Sequence, residues 1–231
     1  MGISQRASLF ISIAIFLAGC QTTLTQPEDI LSQVLPPDSQ AFRNMNTYPG
    51  NITCGEYLDV DAMGIPEYRA FILMGEEPNL YPSRHQITIY CSPDPKAAAN
   101  QLFNIDYNEQ QAEIQKIIAD FDRLSGPLLQ YEKTYFHFPW IEEGGLNALV
   151  VPPQSNDPRI IEPDTGFIEA IPNDPWGNDY AYDCEPFAGV RVMYTLQTLG
   201  ADGAPGGVGR NLDIDLSLIK FFKHIETIDH M

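Results

Sequence analysis

The stretch TLGADGAPGGVGRNLDIDL, residues 198–216, combines five glycines, a proline and three aspartates with a single arginine. Asp202 and Asp213 offer hard anionic oxygens, and a glycine-rich backbone can turn its carbonyls toward one point. Calcium, which takes six to eight oxygen ligands, is the cation such a loop suits. The glycines alone stiffen nothing, because each carries a large ordering cost, so the loop is expected to need a partner to hold its shape. The competing reading is an acidic loop that is merely solvated. Other chemistries lack their patterns. Asp213-Ile214-Asp215 is not followed by the glycine of an EF-hand, and no lysine with Ser or Thr closes the glycines as in a phosphate-binding loop. His85, His137, His224 and His230 show no HExxH or paired spacing, which argues against catalytic zinc. Asp174, Glu142 and Glu143 are the carboxylates one would consider for acid–base work, but their spacing does not bring them together. Catalytic sites are therefore expected to be absent, and the chain is read as a non-enzyme.

The 231 residues carry a net charge of −18. Such a field repels phosphate backbones and anionic headgroups and favours cations, which argues against nucleic acid as a partner. The N-terminus begins with one positive charge, continues through the apolar run ASLFISIAIF, and closes on Leu17-Ala18-Gly19-Cys20. An apolar run of about ten residues is too short for a permanent span and reads as a secretory signal over residues 1–19. The closing tetrapeptide resembles the lipobox of bacterial lipoproteins, which implies lipidation at Cys20 and attachment to a membrane through that lipid. Gln21, rather than Asp, follows the cysteine, which points to the outer membrane, facing the periplasm. Three cysteines remain, so one intramolecular bridge and one spare thiol are expected in an oxidising compartment. Cys54 and Cys91 lie in two β-like runs and are paired here; pairings of either with Cys184 stay open, because connectivity cannot be read from sequence.

The elements that must position the loop divide the chain into four. Residues 1–19 are the signal and 20–44, polar and proline-bearing, a lipidated tether. Residues 45–103 contain the runs ITCGEYLDV, YRAFILMG and HQITIYCS between Gly, Pro and Asn turns, and predict a small β unit. From 104 to 231 the period changes. Ile114, Ile117, Ile118, Phe121, Leu124 and Leu128 recur at helical spacing, with a kink or a fresh first turn expected at Gly126-Pro127. The later runs GFIEAI, DYAYDC and GVRVMYTLQ read as short strands. One long helix followed by an antiparallel sheet is an α+β fold. In Asp174-Pro175-Trp176-Gly177-Asn178 the aspartate is expected to accept backbone N–H bonds in an Asx-type turn, with Trp176 as an apolar plug rather than a sugar or base platform.

Three segments in order resemble the periplasmic domain of the major pseudopilin of type II secretion systems. His137-Phe138-Pro139 through Glu142-Glu143-Gly144-Gly145-Leu146-Asn147-Ala148-Leu149 is similar to that family's RYPTTEQGLEALV. Ile171-Pro172-Asn173-Asp174-Pro175-Trp176-Gly177-Asn178-Asp179-Tyr180 is similar to its LPKDPWGNPY, and Leu199 through Ile214 to its LGADGQPGGEGENADI. The resemblance implies a long N-terminal helix packed on a small antiparallel sheet with a calcium-binding loop. It implies ligands at the Leu199 carbonyl, Asp202 and Asp213, and an envelope protein, such as a secretion or pilus component, as partner. It also marks departures. Val208 stands where the family often has an acidic residue, and no tryptophan closely follows Asp213. A lipid anchor, a tether and a β unit take the place of the family's prepilin leader and polymerising helix, so assembly by the family's mode is not expected. The function expected is a non-enzymatic envelope lipoprotein with a calcium-stabilised pseudopilin-like module; the alternative is an envelope ligand-binding protein or enzyme on the same scaffold.

Overall fold

The structure is a computed structural model and describes residues 26–61, 63–184 and 193–229. Cys20 and the signal sequence lie outside the described residues.

The first half is built on a four-stranded antiparallel sheet. Strands β1 (Phe42–Tyr48), β2 (Ile52–Val60), β3 (Pro66–Met74) and β4 (Glu77–Asn79) pair in sequence order. Alternation along β3 separates the faces: Phe71 and Leu73 point one way and Ile72 the other. On the first face they join Tyr57, Leu31 and Leu35 in a buried cluster. Leu31 belongs to helix α1 (Pro27–Val34), so residues 26–44, expected as a tether, are instead folded against the sheet. The reason is apolar spacing: Leu31 and Leu35 lie one helical turn apart and cover the β2–β3 surface, which is enough to order a short segment with no strong propensity of its own.

On the opposite face the expected third strand is a helix. HQITIYCS folds as α2 (Arg84–Tyr90) and ends with Cys91 as its C-cap. Its β-branched residues suit a strand, but Ser83 and Gln86 form a capping box, with the Gln86 N–H donating to Ser83 Oγ and the Ser83 N–H to Gln86 Oε1. Local hydrogen bonding outweighs a weak preference at χ1. Cys54 of β2 and Cys91 form a disulfide, with Cα atoms 5.8 Å apart, while Cys184 is a buried free thiol. Burial pushes the Cys184 thiol pKa up, away from the thiolate form needed for reactivity.

Helices α3 (Pro95–Phe103) and α4 (Tyr107–Tyr135) follow, each with an aspartate N-cap: Asp94 for α3 and Asp106 for α4. Asn104, in the left-handed region at φ 51°, reverses the chain between them. α4 buries Ile114, Ile117, Phe121, Leu124 and Leu128 as the periodicity predicts, and it extends past Pro127 as one element. Leu124 before the proline and Leu128, Tyr131 and Tyr135 after it are all buried, so packing on both sides keeps the two halves in one helix despite the lost hydrogen bond. Three short strands, β5 (Ala181–Asp183), β6 (Thr195–Thr198) and β7 (Ile214–Asp215), form an antiparallel sheet in that order, and α5 (Leu218–Asp229) closes the described chain. GFIEAI is not a strand. The Phe167 and Ile168 N–H groups both donate to the Leu149 carbonyl, and Gly166 passes so close to Val150 that a Cβ would meet its carbonyl oxygen at 2.2 Å. The segment thus spends its donors on a tight crossing over the 3₁₀ turn Gly145–Leu149.

The two halves share one core. Ile52, Cys54 and Ile72 of the sheet, Ile89 and Tyr90 of α2, and Ala99 and Phe103 of α3 belong to the same buried cluster as α4, α5 and the second sheet. The junction is aromatic: Phe221 of α5 stands 5.3 Å from Tyr90, and Phe222 stands 6.0 Å from Phe103 and 6.1 Å from Tyr107. No helix among the described residues is long and apolar enough to cross a membrane.

Candidate functional site

The acidic glycine loop is anchored at its entrance by the DPWGN turn. Asp174 is buried, and its Oδ1 accepts from the Trp176 and Asn178 N–H groups at 3.0 and 2.8 Å. Gly177, at φ 90°, supplies the left-handed residue such a turn requires. Trp176 packs half-buried against the main core, in the plug role. The second carboxylate oxygen of Asp174 accepts from Thr198 Oγ at 2.7 Å, and the Asn178 amide donates to the Gly200 carbonyl at 3.2 Å. The turn therefore grips both residues that flank Leu199.

From there the loop runs out and folds back on itself. The Ala201 N–H donates to the Arg210 carbonyl at 2.8 Å, and Thr198 pairs with Ile214 across β6 and β7. Gly200, at φ 68°, lies so near Asn211 that a Cβ would sit 2.5 Å from its carbonyl carbon. Leu199 and Asp213 thus stand at the ends of adjacent strands, with Asp202 on the outgoing limb. Arg210 ties the returning limb to α4 through an ion pair with Glu113 at 3.1 Å. Much of the loop's shape comes from these internal bonds, which the glycine count by itself did not foretell.

The two aspartates differ in their use. Exposed Asp202 accepts from the Ala204 N–H at 3.1 Å in a local turn. Asp213 is half-buried; its Oδ2 accepts from the Gly206 N–H at 2.8 Å, while its Oδ1 is buried and has no hydrogen-bond partner. A buried anionic oxygen left unpaired is costly and fits a cation beside it. Among the described residues no three His, Cys, Asp or Glu side chains cluster as a metal site, so a cation here would need main-chain oxygens such as that of Leu199.

Of the carboxylates considered for acid–base work, Glu142 is exposed, and Glu143 and Asp174 have separate occupations. Glu143 Oε2 accepts from Tyr131 Oη at 2.9 Å and from the Trp140 N–H at 3.1 Å, while Asp174 serves its turn. A further carboxylate, not singled out from sequence, is Asp120 on α4, buried and accepting from Tyr180 Oη at 2.7 Å and Lys116 Nζ at 2.5 Å. The i,i+4 spacing of Lys116 and Asp120 was its only sequence signal. Lys116 also donates to the Asn173 carbonyl at 2.6 Å, so this network joins α4 to the DPWGN turn.

A long helix, a glycine-closed turn and a looped pair of strands, ordered in this way, make the C-terminal half a pseudopilin-type domain. The family model for type II secretion system (T2SS), protein G, matches residues 104–217. The type II secretion system core protein G of Vibrio cholerae is 37% identical over 111 residues, which are 48% of this chain and 73% of that protein. That of Klebsiella pneumoniae is 34% identical over 102 residues, covering 44% and 70%. Among solved structures, the major pseudopilin from the type 2 secretion system of enterohaemorrhagic Escherichia coli matches at 29% identity, covering 47% of this chain and 90% of that one, with a TM-score of 0.38. The chain belongs to the type II secretion system protein G family.

Proposed function

We propose that this protein is a non-enzymatic envelope lipoprotein whose pseudopilin-like domain, stabilised by calcium, is a structural or interaction module for a type II secretion machine. The observation that carries the reading is the fused core. The segment matching the family begins at residue 104, and immediately before it α3 turns back so that Phe103 and Tyr107 pack on α5. The start of α4 is thereby enclosed between α3 and α5, which supports a role other than serial stacking through that helix end. Lipid attachment at Cys20, with Gln21 next to it, supports a tethered position at the outer membrane facing the periplasm. The relatives' names support an envelope partner drawn from the secretion machinery. The alternative of an enzyme or ligand-binding protein draws less support: the cleft between Ile141, Gly145 and Tyr182 carries one carboxylate, Asp179, which already accepts from the Asn173 amide at 2.8 Å.

In this reading the Leu199 carbonyl, Asp202 and Asp213 hold calcium, whose charge satisfies the buried Asp213 oxygen and ties the two limbs of the loop. Extracellular calcium modules bind with dissociation constants of about 10⁻⁴ to 10⁻³ M, and a ligand at about ten times that value stabilises a fold by roughly 1.4 kcal/mol. Calcium is therefore expected to raise the Tm of the purified chain by about 2 to 8 °C and chelator to reverse it. A melting curve indifferent to both would leave the loop held by its internal bonds alone. Crosslinking in the native envelope followed by identification of the attached proteins tests the wider proposal, and the absence of any secretion component among them would defeat it. Fatty-acid labelling that survives Cys20→Ser would end the lipoprotein assignment.

A further inference from the structure

The geometry points to a docking surface for an acidic peptide segment of a partner protein, along a trough formed by α2, α3 and α5. Two crevices adjoin there and share His85 as their common wall. One, of about 220 Å³, lies between Ser83 and His85 on one side and Ser217 and Lys220 on the other. The second, of about 400 Å³, is bordered by Arg84, His85, Thr88 and Gln101. Neither contains an Asp or Glu, in a chain that has 31 of them, whereas the clefts beside Tyr182 and beside the disulfide contain Asp179 and Glu56 respectively.

The cations in the trough are also unspent. Among the described residues Arg43, Arg69, Lys96, Lys116, Arg159, Arg210 and Lys223 all sit in ion pairs, whereas Arg84 and Lys220 in the trough, like Arg123 and Lys133 on α4, do not. The neutral polar groups nearby are largely committed: Ser217 Oγ donates to Asp215 at 2.7 Å, and Gln86 Oε1 accepts from Ser83 and Asn79. What remains open are the Arg84 guanidinium, the Lys220 ammonium and the His85 ring, which is backed edge-on by Phe103 at 6.1 Å. Arg84, His85 and Lys220 are exposed, and an exposed ion pair is individually weak, so a lone small anion would be poorly held. An extended segment that places carboxylates over both crevices at once gains from each and fixes its register by the spacing of the charges. Beyond about 8 to 10 Å the protein's overall negative charge is screened, which lets this local field decide the encounter. The lining residues fall at 83–102 and 217–221, at or outside the edges of the family match at 104–217.

The test uses the full chain and a fluorescently labelled poly-glutamate peptide followed by anisotropy. The wild-type chain is expected to bind the peptide and to release it at high salt. Arg84→Glu with Lys220→Glu should weaken binding by roughly tenfold or more, with the melting curve unchanged. The control pair Arg123→Glu with Lys133→Glu, which alters net charge equally on α4, should change it by roughly twofold or less. Equal losses from both pairs would show bulk electrostatics, complete displacement by inorganic phosphate would show a small-anion site, and no binding by the wild type would remove the surface; each overturns the proposal.

Discussion

Asp174 shows how much one buried side chain can carry. Its two oxygens accept from Trp176, Asn178 and Thr198, so it closes the DPWGN turn and pins the entrance of the acidic loop. Hydrogen bonds to a charged group contribute about 1.5 to 3 kcal/mol each and are not additive, so Asp174→Ala is expected to cost about 3 to 5 kcal/mol, and Thr198→Val about 1 to 2, in denaturant unfolding. Equal losses from the two would contradict the assigned hierarchy. His224 carries a different expectation. Its ring packs against Tyr90 and the β1–β2 turn at Gly50, its Nε2 is buried without a partner, and burial holds its pKa below the ordinary value of 6.5. A folded-state pKa below the unfolded one means the unfolded chain binds the proton more readily. Stability should then be full above about pH 6.5 and decline as pH falls through and below it, down to the folded pKa. Thermal melts between pH 7.5 and 5.5 check this, and His224→Leu should flatten that part of the profile; a variant with the wild-type slope would place the titration elsewhere.

At the scale of elements, the loop between β6 and β7 is a fold-back whose two limbs touch. Gly200→Ala would force a Cβ into the Asn211 backbone and hold alanine at φ 68°, so a loss of roughly 1 to 3 kcal/mol is expected, whereas Gly206→Ala, with open space at its Cβ, costs only the backbone strain. Similar melting temperatures for the two variants would mean that the limbs separate readily. Asp202→Ala and Asp213→Ala should each remove most of any calcium-dependent rise in Tm, and Asp213→Ala should do so more completely because the buried, unpaired oxygen is its own. Isothermal titration with calcium checks this. Magnesium should substitute poorly, since it demands a tight octahedron that a ring of loop carbonyls does not provide.

For the molecule as a whole, the shared core changes what the disulfide does. Cys54 and Cys91 are 37 residues apart in sequence, and closing such a loop contributes about 2 to 4 kcal/mol. Two separate units would let the N-terminal sheet melt first. Here Ile52, Cys54, Ile89 and Phe103 belong to the same cluster as Leu124 and Phe222, so Cys54→Ala with Cys91→Ala should lower a single cooperative transition. Calorimetry resolving two transitions, or a protease-resistant fragment beginning near residue 104, would show the halves to be independent.

The α4 stripe, the DPWGN turn and the acidic character of the loop were legible in the sequence, because periodicity, a side chain's bond to its own next residues and residue chemistry are all set within a few positions. The helical α2, the ordering of residues 27–34 and the fusion of the halves were not legible. Each depends on surfaces far apart in the chain: Leu31 needs Tyr57 and Phe71 beneath it, and Phe103 needs Phe221 and Phe222 from a helix more than a hundred residues later. Apolar area is gained wherever shapes meet, irrespective of sequence distance, so only the tertiary structure decided which of the locally allowed conformations would be kept.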